Sequence, residues 1–154
     1  MSAPILSLHI MAFARATEDE RKVRQAVRLL LPPGMDLKNS RVKWRENIAK
    51  GVLGNPILII DVVADKKSDA RKLWKHVRSL LSEEDVKYIL SHPDDFLDEY
   101  GTVHLRFDKQ EAYLGRPVLT SGGDVVKVRA QLEAYPAKPE EYKKAFERAF
   151  KEDV

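Results

Sequence analysis

The chain has 154 residues and no cysteine, which removes disulfides, thiolate metal sites and a cysteine nucleophile from consideration. An apolar fraction of 44% fits one globular domain with a real core, and no apolar run approaches the roughly 20 residues of a membrane span. The net charge of +3 is unevenly placed, +5 over the first 50 residues and −2 beyond them, so an anionic partner is expected to meet the first third.

Residues 5–14 are apolar-rich and read as a strand, with Arg15 at its exit. This opening lacks the basic region of a signal peptide, and a cytoplasmic protein is expected. Thr17-Glu18-Asp19-Glu20 has the form of a capping box, Thr17 as the cap and Glu20 reaching back to it. A helix follows with Val23, Ala26, Val27 and Leu30 on one face, and Pro32-Pro33-Gly34 ends it. Residues 41–48 alternate, Val42, Trp44 and Ile48 against Arg41, Lys43, Arg45 and Asn47. After a Gly51–Pro56 loop, residues 57–63 form a nearly continuous aliphatic run, as in a strand covered on both faces or central in its sheet.

Ser68 is expected to cap a second helix that buries Ala70, Leu73, Val77 and Leu80. A short third helix starts at Ser82-Glu83-Glu84-Asp85, with acids where the helix dipole favours them, and stops at His92-Pro93. Residues 103–108 alternate Val103, Leu105 and Phe107 with His104, Arg106 and Asp108, then run into Lys109, Gln110 and Glu111. Val126, Val128 and Ala130 alternate with Lys127, Arg129 and Gln131 in a further strand. Pro139 opens an amphipathic helix over residues 139–152 bearing Tyr142, Ala145, Phe146, Ala149 and Phe150. The order β-α-β-β-α-α-β-β-α implies one α+β domain over residues 1–154.

Three stretches could carry function. Arg41, Lys43 and Arg45 stand on one side of a strand at about 6.5–7 Å intervals, close to the spacing of successive phosphates. The same pattern also suits a solvated strand face or edge lysines that deter aggregation. The second helix gathers Lys67, Arg71, Lys75 and Arg78 in one quadrant, with Trp74 at its border; this is either a second nucleic-acid face with a stacking ring or an ordinary surface helix over a core Trp. In the 103–113 segment, Arg106 and Lys109 could hold phosphates with Gln110 and Tyr113 near a base. Alternatively Arg106 pairs with Asp108 as framework, or Asp108 and Glu111, with Asp61, hold a metal for catalysis. No second carboxylate pair or His-x-His spacing completes a metal set, so no metal, cofactor or catalytic residue is expected.

Thr17-Glu18-Asp19-Glu20, Gly54-Asn55-Pro56-Ile57 and Arg106-Phe107-Asp108-Lys109-Gln110 with Ala112-Tyr113 together resemble an archaeal family of RNA-binding proteins and predicted exosome subunits. The resemblance runs from about residue 5 to 132, and the Arg-Phe-Asp-Lys-Gln pentad is its most specific part. It implies a layered α+β sandwich, a mixed or antiparallel sheet with helices on one side, similar to ribosomal protein L-five. It also implies work around RNA processing or ribosome-associated RNA.

The expectation is therefore a non-enzymatic RNA-binding domain using Arg15, Arg41, Lys43, Arg45, Arg106, Lys109 and Gln110, with Lys67, Arg71, Lys75 and Arg78 as a secondary face. A subunit that docks on exosome or other RNA-processing proteins through Tyr142, Phe146 and Phe150 is the alternative, and the metal-dependent nuclease ranks last. No membrane partner is expected, and the oligomeric state, a homodimer included, is left open by the sequence.

Overall fold

The computed structural model describes residues 3–151. Five strands, β1 (Ile5–Ala14), β2 (Lys43–Lys50), β3 (Pro56–Ala64), β4 (Thr102–Asp108) and β5 (Val125–Leu132), form one sheet in the order β2-β3-β1-β5-β4. All four neighbouring pairs are antiparallel. The helices are α1 (Glu20–Leu29), α2 (Lys67–Ser79), α3 (Glu83–Ser91), α4 (Pro93–Phe96), α5 (Lys109–Tyr113) and α6 (Pro139–Lys151). The expected helix over 139–152 is α6, and Glu152 lies outside the described residues.

Alternation puts one side of β1, β3, β4 and β5 into a single apolar core, against which Trp44 of β2 packs at its edge. Leu8, Ile10 and Ala12 of β1, Ile60 and Val62 of β3, Val103, Leu105 and Phe107 of β4, and Val126 and Val128 of β5 all point that way. Val23, Ala26 and Val27 of α1, Leu73, Trp74 and Val77 of α2, and Phe146 and Phe150 of α6 close over them. The helices thus cover one face of the sheet. β3 is flanked by strands on both sides but covered on one face only, because Ile57, Ile59 and Asp61 stay half-exposed on the other.

Three local expectations are corrected. Asp19, not Thr17, caps α1: its carboxylate accepts from the Arg21 amide at 3.0 Å, while Glu18 accepts from the Arg15 amide at 3.1 Å. Lys66 occupies the cap position of α2 without a side-chain bond, and the Ser68 hydroxyl instead accepts from Arg41 at 2.9 Å. Two single-turn helices add to the expected elements, α4 directly after the His92-Pro93 stop and α5 where the 103–108 strand is expected to run on into Lys109, Gln110 and Glu111. The expected start of α3 is a complete capping box, Ser82 and Asp85 each accepting from the other's amide.

Phe146 and Phe150 are 1% and 0% exposed, which removes the aromatic docking surface expected on α6. The reason lies in α2. Trp74 Nε1 donates to the Ala149 carbonyl at 3.1 Å and Arg78 Nε to the Phe150 carbonyl at 2.8 Å. These carbonyls at the C-terminal end of α6 would otherwise lack donors. The Trp74 ring meets Phe150 edge to face at 5.1 Å, so its ring is core and unavailable to a base.

Candidate nucleic-acid interface

The uncovered face of the sheet is ordered by its register. Lys43, Val63, His9, Arg129 and His104 form one row across all five strands. Arg45, Asp61, Met11, Lys127 and Arg106 form the next. Asn47, Ile59 and Phe13 start a third, continued by Val125 and Asp108. Paired residues in an antiparallel ladder share a face, so these side chains stand on the side away from the helices.

Charge is handled differently on the two faces. On the helix side several cations are engaged: Arg24 grips Glu46 through two bonds of 2.9 Å, and Glu46 also accepts from Trp44 Nε1 at 2.7 Å. The Arg24 guanidinium, more than burial opposes it, holds the Glu46 carboxyl below its ordinary range. Arg28 lies over the Trp44 ring at 5.3 Å. On the open face, Lys43, Arg45, Arg106, Lys127 and Arg129 have no carboxylate within ion-pair distance among the described residues. Lys127 is pushed below the usual lysine value, first by burial and then by the charges of Arg106 and Arg129. A self-repelling cation cluster costs stability in the free protein and is relieved when an anion binds.

The acids on this face do not cancel the cluster. Asp98 approaches the His104 ring at 2.9 Å and accepts from the Tyr100 and Thr102 amides. Burial raises its pKa, but these hydrogen bonds outweigh it and the net shift is downward. Asp61 lies opposite Arg45 without bridging to it, its nearest basic group being His9 Nδ1 at 3.9 Å. Its Oδ1 is buried and has no hydrogen-bond partner.

The structure brings together only part of the expected site. Lys43, Arg45 and Arg106 share the face, but from opposite edge strands, four strand spacings or about 19 Å apart. Lys127 and Arg129 join Arg106 on the neighbouring strand, three spacings or about 14 Å from Lys43 and Arg45 across β3 and β1. Their alternation was legible in the sequence; their position beside Arg106 was not, because it depends on β4 and β5 being neighbours.

Several expected ligands are placed elsewhere. Arg41 precedes β2 and its guanidinium is tied to Asp69 at 3.1 Å, beside its bond to Ser68. Lys109 is 4% exposed, and its ammonium reaches the Phe13 carbonyl at 2.8 Å, Glu18 at 2.7 Å and Asp124 at 2.6 Å. Those three bonds use all the donors an ammonium has, leaving none for a phosphate. Gln110 is exposed, but it lines a recess with Thr17, Lys22 and Tyr113 beside α1. Tyr113 faces that helix too, under the Lys22 ammonium at 5.1 Å.

The basic face of α2 lies on the covered side of the sheet. Lys67 and Arg71 both pair with Glu133, and Arg71 also donates to the Ala3 carbonyl at 3.1 Å. Arg78 caps α6 as described, which leaves Lys75 exposed with no ion-pair partner among the described residues. These cations tie chain segments together and cannot share one ligand with the open face.

The carboxylates of the nuclease reading are dispersed. Asp108 caps α5, accepting from the Glu111 amide at 2.9 Å, and does not pair with Arg106. Glu111 holds Arg116 at 2.8 Å. Asp61 and Asp108 stand on strands three spacings apart, about 14 Å, too far to share a cation. Among the described residues no cluster of three His, Asp or Glu side chains could hold a metal ion, and no helix is long and apolar enough to cross a membrane.

Comparison with known proteins gives a consistent result. A family model described as RNA binding matches residues 7–132. The RNA-binding protein PAB1135 of Pyrococcus abyssi is 40% identical over 139 residues, covering 90% of this chain and 89% of the relative. Among solved structures, protein AF2318 of Archaeglobus fulgidus superimposes with a TM-score of 0.79 at 36% identity, over 94% of this chain and 99% of its own. Mth689 of Methanothermobacter thermautotrophicus does so with a TM-score of 0.71 at 26% identity, over 96% and 98%.

Proposed function

The chain belongs to the RNA-binding family whose model spans its residues 7–132, and from that premise we propose that it is a non-catalytic, cytoplasmic protein holding an RNA backbone on the open face of its sheet. The observation that carries this reading is the set of cations on one uncovered face, Lys43 and Arg45 towards one edge and Arg106, Lys127 and Arg129 towards the other, without carboxylate partners among the described residues, while Arg24, Lys67, Arg71 and Arg78 on the covered side are engaged. Strands 4.7–4.9 Å apart and side chains at about 6.5–7 Å along each strand make a grid that phosphates can occupy in more than one register. Such binding is led by charge and backbone shape, with phosphate contacts positioning the protein rather than reading sequence. Arg15, exposed at the exit of β1, extends the surface. A role in RNA processing, with exosome proteins as partners, belongs to the same proposal and rests on the family resemblance.

The test is retention of RNA by the purified protein as salt is raised. Neutralising about five phosphates of a single strand predicts a slope of log affinity against log salt near −3.5. Arg45→Glu with Lys127→Glu should lower affinity at least tenfold and flatten that slope, whereas Lys75→Glu on the covered side should change affinity less than twofold. Equal losses from both variants would remove the open face as the binding surface. Exosome partnership is checked by co-purification that survives nuclease treatment.

A further inference from the structure

One feature of the open face is not a cation. Phe13 projects from β1, the central strand, and is 49% exposed, although it is a large apolar ring beside a buried sheet core. Its cross-strand neighbours are Ile59 and, next in register after Ala12–Val126, Val125. Together with Ile57 they line a recess of about 290 Å³ at one end of the face, with Arg15 on its rim. Gly123 sits at the same mouth, where an added Cβ would meet nothing within 4 Å, so the opening is not crowded.

The recess adjoins the cation row. Met11, two residues from Phe13, is paired with Lys127, and Asn47, paired with Ile59, is two residues from Arg45. Lys127 therefore stands diagonally from the ring, about 7–8 Å away, while Arg45, two strands across on the other side, is about 12 Å away. An exposed aromatic ring one step from Lys127, with Arg15 on the rim of its recess, suits a ligand that is flat and apolar at one end and anionic at the other. The paired bases of a duplex cannot present a ring face, whereas an unpaired base can.

We propose that Phe13 is a stacking platform for an unpaired base of single-stranded RNA whose flanking phosphates lie on Lys127 and Arg15. This rests on the RNA-binding reading and specifies the ligand as single-stranded. The ring is held from behind: the Phe13 carbonyl accepts from buried Lys109, which Glu18 and Asp124 fix in turn. Lys109 thus acts as a positioning residue for the Phe13 backbone; it and Asp124 also line the recess, with the Lys109 ammonium already committed to its three partners.

The probes are a short single-stranded oligoadenylate containing 2-aminopurine and a blunt RNA duplex. On the wild type, the 2-aminopurine fluorescence should be quenched on binding, and the single strand should bind more tightly than the duplex. Phe13→Leu keeps an apolar side chain and removes the π face; it should weaken single-strand binding by about fivefold or more, the low end of what stacking contributes, and leave duplex binding unchanged. Phe13→Trp should restore both affinity and quench. Wild-type affinity in Phe13→Leu, absence of quench, or equal loss for single strand and duplex would each overturn the stacking site while leaving RNA binding intact. Failure of the wild type to retain either RNA would instead overturn the reading on which it rests.

Discussion

Two lysines of the sequence have opposite roles. Lys109 follows the Phe-Asp turn of the family pentad and lies inside, its three donors taken by Phe13, Glu18 and Asp124. Lys127 lies on the open face with two arginines near it and no acid. Removing Lys109 strands two carboxylates and a carbonyl, and because both acids are partly exposed the expected cost is about 2–3 kcal/mol. Lys127→Gln removes like-charge repulsion and should hold or raise the melting temperature while weakening RNA. Thermal melts and RNA titrations of Lys109→Met and Lys127→Gln check this: the first should melt several degrees lower, the second should lose affinity without melting lower. The opposite pattern would mean that the two roles have been exchanged. Sequence alone put Lys109 among the ligands, since a charged residue after a strand is ordinarily exposed; the Asp108 cap turns the chain into α5 and carries Lys109 inward.

Among the elements, α6 shows how a helix beyond the matched family region becomes part of the core. Its apolar stripe was legible as Ala145, Phe146, Ala149 and Phe150 at helical spacing, and all four are buried. What it packs on was not legible, because Trp74 and Arg78 lie some 70 residues away and reach its last carbonyls only in the folded chain. The start of α6 is fixed at a second point. Gly101, just before β4, has φ of +79°, and a Cβ there would run into the Tyr142 ring. Gly101→Ala should therefore cost at least about 1–2 kcal/mol for the left-handed backbone, with displacement of Tyr142 added. A melting temperature within a degree of wild type would show that the α6 contact adjusts freely. Capping was less legible than periodicity: Thr17 and Ser68 fit the pattern of caps, but Asp19 and Lys66 hold those positions. Short polar residues within a few positions of a helix start compete for one role, and the path of the preceding loop decides among them.

At the scale of the whole molecule, the sheet separates two electrostatic regimes. The covered side and the sheet ends hold most of the closed ion pairs, and the open face holds Lys43, Arg45, Arg106, Lys127 and Arg129 without carboxylate partners among the described residues. The paired carboxylates set the response to acid. Glu46 is held below its ordinary range chiefly by Arg24, Glu133 chiefly by Lys67, and Asp98 by hydrogen bonds that outweigh its burial. Each binds fewer protons folded than unfolded near its titration, so its stabilisation is complete above the unfolded carboxyl range of about 4 and is lost as pH falls through the lowered folded values. Lys127 has the reverse sign, its deficit vanishing as pH rises through its lowered value. The melting temperature should accordingly be flat near neutrality and fall below about pH 4. A Glu133→Gln variant should lose part of that acid-side slope; an unchanged slope would show that the Lys67–Arg71–Glu133 cluster contributes little.

Period and composition determined by themselves that this is an α+β chain with five strands and four substantial helices, because the side of an element that is buried is written into every second or every third to fourth residue. They also marked Lys43, Arg45, Arg106, Lys127 and Arg129 as outward-facing. Only the tertiary structure decided that these five share one uncovered face, that Arg41 and Lys109 do not join them, and that Phe13 opens on the same face. Those facts depend on strand order, register and the ion pairs closed between distant segments, and neither a strand's neighbour nor a side chain's partner is encoded in the spacing of residues along one strand.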